Sequence, residues 1–411
     1  MDKKNIAMNM LWNSIGSLFF LGCQWLITVL VVRFNSSYED AGILSLGFSI
    51  FNTVYGIATL NLRTVQITEI DGKFQDGDFI LNRFLFSAVA IILTVVVVFY
   101  NGYNQYTAIC VLLIVCFRMV EAIVDVFHGI DQKAWRMDII AKSFILRGAL
   151  TLFSFILGLV VFDCFWISIV FMVIANYAAL VFFDIKECRR QIQINYGWKA
   201  QSVIELTKIG IPTSIQCVLL NSIATIPRMS IENIYGENLL GIFASISMPA
   251  ILVSQIASYF FNPLLNLFAK YQRQQNYRRG MGLIAVCILV ILSITAVSMI
   301  AGYILGDWIL SLIFGKSILE YTYLFPWVLL TAGMLAIIWF LNGVLTALKH
   351  YKQIVIITCI PTIIAFLLSN NFIYRRGLEG AVDLTIIAYG LDIVLSIVCL
   401  SFIIKRDFTK L

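Results

Sequence analysis

Arg118, Glu121, Asp125 and His128 fall at i, i+3, i+7 and i+10 in the otherwise apolar stretch CFRMVEAIVDVFHG. A helix carries that spacing on one face. Arg147 follows in AKSFILRGAL, and at 1.5 Å per residue it stands at a depth comparable to that of Arg118. A charged group at the centre of a bilayer costs about 2.5–3.5 kcal/mol on insertion scales, so this set should not face lipid. Two chemistries fit it. One is a structural salt-bridge cluster. The other is a hydrated cavity that faces an ionic substrate or a coupling ion. The charges of Arg118, Arg147, Glu121 and Asp125 cancel when all are ionised. Protonating Glu121 and Asp125 would make the set cationic, a physical route from proton movement to anion affinity; burial and neighbouring arginines pull those carboxyl groups in opposite directions. Asp392, in AYGLDIVLSIV, is a further ionisable group inside an apolar run. It either pairs with another helix, stays neutral, or binds a coupling cation or proton.

Weaker polar stripes accompany these groups. One holds Asn9, Asn13, Ser17 and Gln24; a second holds Ser45, Ser49 and Asn52; a third holds Thr213, Cys217, Asn221 and Arg228. Such residues either glue membrane helices together or line a cavity to which both halves of the chain contribute.

The elements that must position them are twelve apolar stretches, at 10–32, 41–62, 79–100, 106–127, 140–161, 164–184, 204–226, 239–262, 281–305, 324–347, 353–370 and 380–404. Each is about the roughly 20 residues that a helix needs to cross a hydrocarbon core. The composition agrees, with 60% hydrophobic and 13% charged residues and a mean hydropathy of +0.91. The chain therefore reads as an all-α membrane protein. The first stretch is too long for a signal-peptide core and reads as a retained helix. With the N-terminus inside, only Arg33, Arg228, Lys316, Arg375 and Arg376 fall on outer segments. Arg118 and Arg147 lie within spans, and the rest of the 29 Lys and Arg residues lie inside. That asymmetry predicts both termini in the cytoplasm. It also explains the net charge of +6 as a topology signal and argues against a nucleic-acid partner. The longest inner connection divides the chain into a six-span half at 1–185, a cytoplasmic linker at 186–203 and a second six-span half at 204–411. All six prolines lie in the second half, with Pro249 and Pro361 well inside expected spans, as static bends or as sites of bending in a transport cycle.

Enzymatic and metal chemistry have little to build on. The nine cysteines are scattered without a CxxC, and there are two histidines, His128 and His350. Neither a zinc site nor a Ser-His-Asp triad is expected.

The segment EAIVDVFHGIDQKAWRMDIIAKSFILRG (121–148) resembles the inner loop between spans four and five of Wzx-type polysaccharide repeat-unit flippases. These are polysaccharide transporters of the multidrug/oligosaccharidyl-lipid/polysaccharide exporter (MOP) superfamily. The matching positions are Gly129, Gln132, Arg136-Met137, Ser143 and Arg147-Gly148. NSIATIPRMSIENIYGENLLGIFASIS (221–247) resembles the family's span-seven exit, and LIFGKSILEYTYLF (312–325) its segment before span ten. The resemblance implies 12 transmembrane helices in two six-helix bundles around a central cavity, working by alternating access. It implies flipping of an undecaprenyl-diphosphate-linked oligosaccharide, a precursor of O-antigen or of capsular or exopolysaccharide, from the inner to the outer leaflet of the bacterial cytoplasmic membrane. No cofactor is implied, and polysaccharide polymerase or assembly proteins are the implied protein partners. Arg118 and Arg147 match the cavity arginines that would face diphosphate or acidic sugars. Arg33, Arg63 and Arg228 are further candidates, with Asn221 from the span-seven element. His128 stands where an aromatic residue is expected. A drug/organic-cation antiporter of the same fold would favour an acid-rich cavity in the N-terminal half. A membrane-embedded polymerase would need a polar outer loop, and the longest one here, 306–323, is largely apolar.

Overall fold

The computed structural model describes residues 3–34, 38–68, 73–191, 194–255, 277–348 and 350–408, with isolated positions between 257 and 271. Among these residues the structure is helical and holds no strand. Ten helices are long and apolar enough to cross a membrane. The end of the eighth expected span (256–262) and the inner basic residues Lys270 and Arg273 lie largely outside the described residues.

The chain divides into two compact units, Met1–Val218 and Leu219–Leu411. The first holds α1 (Lys3–Phe34), α2 (Glu39–Thr59), the short α3 (Arg63–Thr68), α4 (Asp76–Asn101), α5 (Gln105–Lys133) and α6 (Met137–Phe162). It continues with α7 (Phe165–Ala179), which runs through a π-helical turn, Leu180–Asp184, into α8 (Ile185–Gln191). The first part of α9 (Ala200–Ser247) also packs in this unit. α1 lies along α6, and α5 packs against α2, α4 and α7. Helix ends are set by local chemistry. Gln75 and Asp78 form a reciprocal capping box at the start of α4, and Asn104 accepts the Thr107 N–H at 2.8 Å to open α5. A buried cluster that includes Leu62, Phe79, Val120, Ile123, Phe127 and Leu206 ties α4, α5 and the start of α9 together.

The segment 194–199 is strapped to the start of α4. Gly77 N–H donates to Asn195 O at 2.8 Å, and Lys199 N–H donates to Asp78 Oδ1 at 2.8 Å. Part of the expected linker is thus held by backbone hydrogen bonds.

The second unit contains the rest of α9, then α10 (Tyr277–Phe314), a 3-10 helix (Lys316–Leu324), α11 (Phe325–Ala347) and α12 (Tyr351–Phe408). α9 and α12 are each far longer than one bilayer crossing. Each is two helices meeting at a single non-helical glycine, Gly236 (φ 82°, ψ 176°) and Gly377 (φ 57°, ψ −134°). Positive φ is a conformation glycine adopts without a Cβ penalty, which lets the chain reverse without a loop. The sequence placed polar loops at 227–238 and 371–379. Helix instead runs through both apart from these glycines. Tyr235 Oη donates to Ile373 O at 3.2 Å, so the two turns lie side by side. Pro249 falls in a turn after α9, while Pro361 lies inside α12 and Pro326 in the first turn of α11.

Large apolar side chains point outward all over the surface, among them Phe99, Phe182, Tyr303 and Phe402. In water this would be a liability; in lipid it is the expected exterior.

Candidate functional site

One face of α5 carries the charged set, and three different neighbourhoods receive it. Arg118 Nη1 donates to Gln24 Oε1 at 2.6 Å and to Glu121 Oε1 at 2.5 Å. Gln24 Nε2 donates to the same Glu121 oxygen at 2.8 Å. The guanidinium of Arg118 also stacks on Phe48 and Phe51, at 5.0 and 5.1 Å from the ring centroids. This group keeps some access, with side chains 14% and 19% exposed for Arg118 and Glu121.

One turn further along α5, Asp125 is clamped between two arginines. Arg63 Nη1 reaches Oδ1 at 2.6 Å and Arg83 Nη1 reaches Oδ2 at 3.0 Å. Arg63 also donates from Nε and Nη2 to Gln132 Oε1, and Arg83 donates to Ala122 O at 2.6 Å. The turn between α2 and α3 aims Arg63. Leu60 and Asn61 both take left-handed conformations there (φ 47° and 49°), and Asn61 Nδ2 donates to Thr213 O at 3.2 Å. Two such non-glycine residues in a row cost about 1–2 kcal/mol each, so the surrounding contacts must hold them.

The third neighbourhood is closed. His128 Nε2 lies 3.0 Å from Ser143 Oγ and 3.8 Å from Asp184 Oδ1, with its ring edge-on to Phe144. Arg147 is 1% exposed. Its Nε donates to Asn176 Oδ1 at 3.3 Å, and Phe20 lies beside its guanidinium. Asn176 passes the link to Thr151 Oγ1 at 2.9 Å. Phe20 and Gln24 are one turn apart on α1, so Arg147 and Arg118 touch the same helix at successive turns.

Of the other expected residues, Arg33 is exposed at the end of α1. Asn221 and Arg228 belong to the second unit. Arg228 borders a cavity of about 120 Å³ with Ser247, Thr331, Thr385 and Tyr389. Asp392 is fully buried in the second unit, with Ser396 Oγ 3.4 Å from its Oδ1.

Sequence reasoning did not select Arg83, Asp131, Asn176 or Asp184, all of them buried. Arg83 had been counted as an inner topology charge. Its position at the head of the apolar run that follows it, in RFLF, was the available signal. With Arg63 and Arg83 included, four arginines face Glu121, Asp125 and Asp184. Asp131, buried on α5, is a fourth acid, so the formal charges of these eight groups still cancel. Among the described residues no group of three or more His, Cys, Asp or Glu is placed to hold a metal, and all nine cysteines are free thiols.

No family model matches the chain. A curated relative, the capsular polysaccharide biosynthesis protein CapF of Staphylococcus aureus, is 24% identical over 362 residues, spanning 85% of this chain and 89% of the relative. Among solved structures, the lipid II flippase MurJ in an inward closed conformation superposes with a TM-score of 0.74 at 16% identity, covering 95% of this chain and 87% of that one. An inward-facing multidrug resistance MATE transporter of the MOP superfamily superposes with a TM-score of 0.73 at 11% identity, covering 97% and 99%. The fold is the one that these transporters share, and the resemblance to MOP-superfamily polysaccharide transporters read from the sequence is borne out.

Proposed function

We propose that this protein flips an undecaprenyl-diphosphate-linked oligosaccharide from the inner to the outer leaflet of the bacterial cytoplasmic membrane by alternating access, as a step in capsular, exopolysaccharide or O-antigen assembly. The observation that carries this reading is the cluster of four arginines within the apolar first unit. Four guanidinium groups are held there by two acids, Asp125 and Glu121, by the rings of Phe48, Phe51 and Phe20, and by amide side chains. A diphosphate offers charge and several acceptor oxygens, which suit planar guanidinium donors. The CapF relative supports the polysaccharide class, and the MurJ fold supports a lipid-linked cargo. A drug/organic-cation antiporter would favour an acid-rich cavity in the N-terminal half.

In this reading the two helices on either side of Gly236, and the two on either side of Gly377, each cross the bilayer. The ten long helices then make twelve crossings, with both termini cytoplasmic. The segments 1–185 and 204–411 are the two bundles, joined by 186–203. Arg118, Arg147, Arg63, Arg33, Arg228 and Asn221 contact substrate, and Glu121, Asp125 and Asp392 are candidates for ion coupling. The partners are the lipid-linked oligosaccharide, the bilayer, and polymerase or assembly proteins.

The test is reconstitution into liposomes that carry a labelled undecaprenyl-diphosphate oligosaccharide in one leaflet. Movement of label to the opposite leaflet, lost on Arg118→Ala, is the expected result. No movement of any lipid-linked oligosaccharide, with efflux of organic cations instead, would overturn the reading.

A further inference from the structure

The four acids among the arginines of the first unit are not equally satisfied. Glu121 has Arg118 and Gln24, and Asp125 has Arg63 and Arg83. Asp184 is 2% exposed, and among the described residues neither of its oxygens has a hydrogen-bond partner. His128 Nε2 stands off at 3.8 Å from its Oδ1. Asp131, 1% exposed, leaves its own Oδ1 without a partner in the same way. The two acids are electrostatic neighbours, and the Cys188 thiol, one turn beyond Asp184, is a neighbour of both. Arg147 supplies an independent sign of something bound here. Its Nη2 is buried without an acceptor among the described residues, and Asp184 is the acid that acts on this guanidinium most strongly.

Local structure makes this arrangement. The π-helical turn Leu180–Asp184 packs on α5, where His128 and Asp131 are one helical turn apart. Further charged neighbours are Arg136 and Asp138 at the α5–α6 turn for Asp131, Arg63 of α3 for His128, and Asp76 of α4 for Cys188. An ionised carboxylate buried without donors is costly, and two neighbouring carboxylates repel each other. One proton relieves both costs, since it removes a charge and adds an O–H donor.

We propose that Asp131 and Asp184 form an acid pair that binds one exchangeable proton, and that this proton is linked to anion binding at Arg147. The pair carries one negative charge with the proton and two without it. Without the proton, Asp184 draws the Arg147 guanidinium to itself and competes with an anion. With it, the guanidinium is left for the anion's oxygens. The proton comes from water and forms one O–H bond, and no other bond is made. By linkage, an anion on Arg147 tightens the hold on the proton by the same factor. The bearing on transport rests on the flippase reading above. It names the coupled ion as a proton and puts it on acids other than Glu121, Asp125 and Asp392.

The experiment uses the purified full chain in lipid nanodiscs, titrated with dimethyl diphosphate. This diester has no proton to lose or gain between about pH 6 and pH 8, so any pH dependence belongs to the protein. The parent is expected to bind it about tenfold more weakly at the upper pH, where the pair has lost its proton. Asparagine stands for the protonated acid at every pH. Asp131→Asn and Asp184→Asn should therefore each bind at both pH values as the parent does at the lower one. Both should also melt no lower than the parent, because each removes a buried charge that lacks donors. A parent whose affinity ignores pH, or variants that keep the parent's pH dependence, would overturn the proposal. Should the variants fail to fold, infrared difference spectra of the parent decide: a protonated carboxyl band lost between the two pH values supports the pair, and no such band overturns it. Flipping on the same preparations separates the two readings. Flipping with pH-independent diester binding overturns the acid pair alone. Proton-linked binding without flipping of any lipid-linked oligosaccharide supports the pair and overturns the transport reading.

Discussion

Arg63 meets Asp125 at 2.6 Å although the two residues stand 62 positions apart in the chain. Arg83 takes the other carboxylate oxygen, so one acid holds two cations from two helices. Removing that acid's charge takes the ionic partner from both. Asp125→Asn should therefore destabilise the first unit by about 3–5 kcal/mol, the usual scale for breaking a buried pair. Arg63, whose side chain is 32% exposed, can turn to water, and Arg63→Ala should cost only about 0.5–1 kcal/mol. Arg83 is 3% exposed, and Arg83→Ala should resemble Asp125→Asn. Thermal unfolding in detergent checks the ranking; equal costs for the two arginines would contradict it.

Arg118 and Arg147 should show a different signature. Arg118→Ala should cut flipping more than it lowers the melting temperature, because Glu121 keeps Gln24 as a donor. Arg147→Lys preserves charge but not the planar fork, and should still lose much of the activity. Normal export of repeat units by both variants would remove these residues from the substrate path.

Asp392 is fully buried next to Ser396. If it carries a coupling ion, Asp392→Asn should fold in normal yield and abolish either flipping or its pH dependence. A pH–rate profile on proteoliposomes decides this, and an unchanged profile excludes the role.

Cysteine labelling tests the topology. In a cysteine-free background, single cysteines at Ser36, Gly102 and Ile234 should react with an impermeant reagent added outside intact cells. Cysteines at Gln193 and Gln275 should not react, and labelling at either one would refute the inside placement of both termini.

The glycine turns give a stability prediction. Gly377→Ala and Gly236→Ala place a Cβ on a backbone with positive φ, at a cost of about 1–3 kcal/mol. The same change at Gly22, a helical glycine with open space around its Cβ position, should stabilise or be neutral.

The helices were legible because apolar length is written directly in the sequence. The loops at 227–238 and 371–379 were misplaced because polar residues such as Glu232 and Arg375 suggest coil, whereas one glycine suffices to reverse the chain. In the candidate site, the face shared by Arg118, Glu121, Asp125 and His128 followed from helical spacing. The partners did not follow, since Arg63, Arg83, Gln24 and Asp184 come from four other segments. Periodicity reports which residues share a face and is silent on what packs against it. Arg83 shows the cost: near a helix end it reads as a topology charge, and only the packing of α4 on α5 reveals a buried ion pair.

The turns at Gly236 and Gly377 each join two helices without a loop between them. Whichever side of the membrane they face, these two turns offer proteases few susceptible bonds and antibodies few linear epitopes. A reagent that needs a flexible strand to grip finds none at these turns, and a binder for them would have to read the shape of the helix ends.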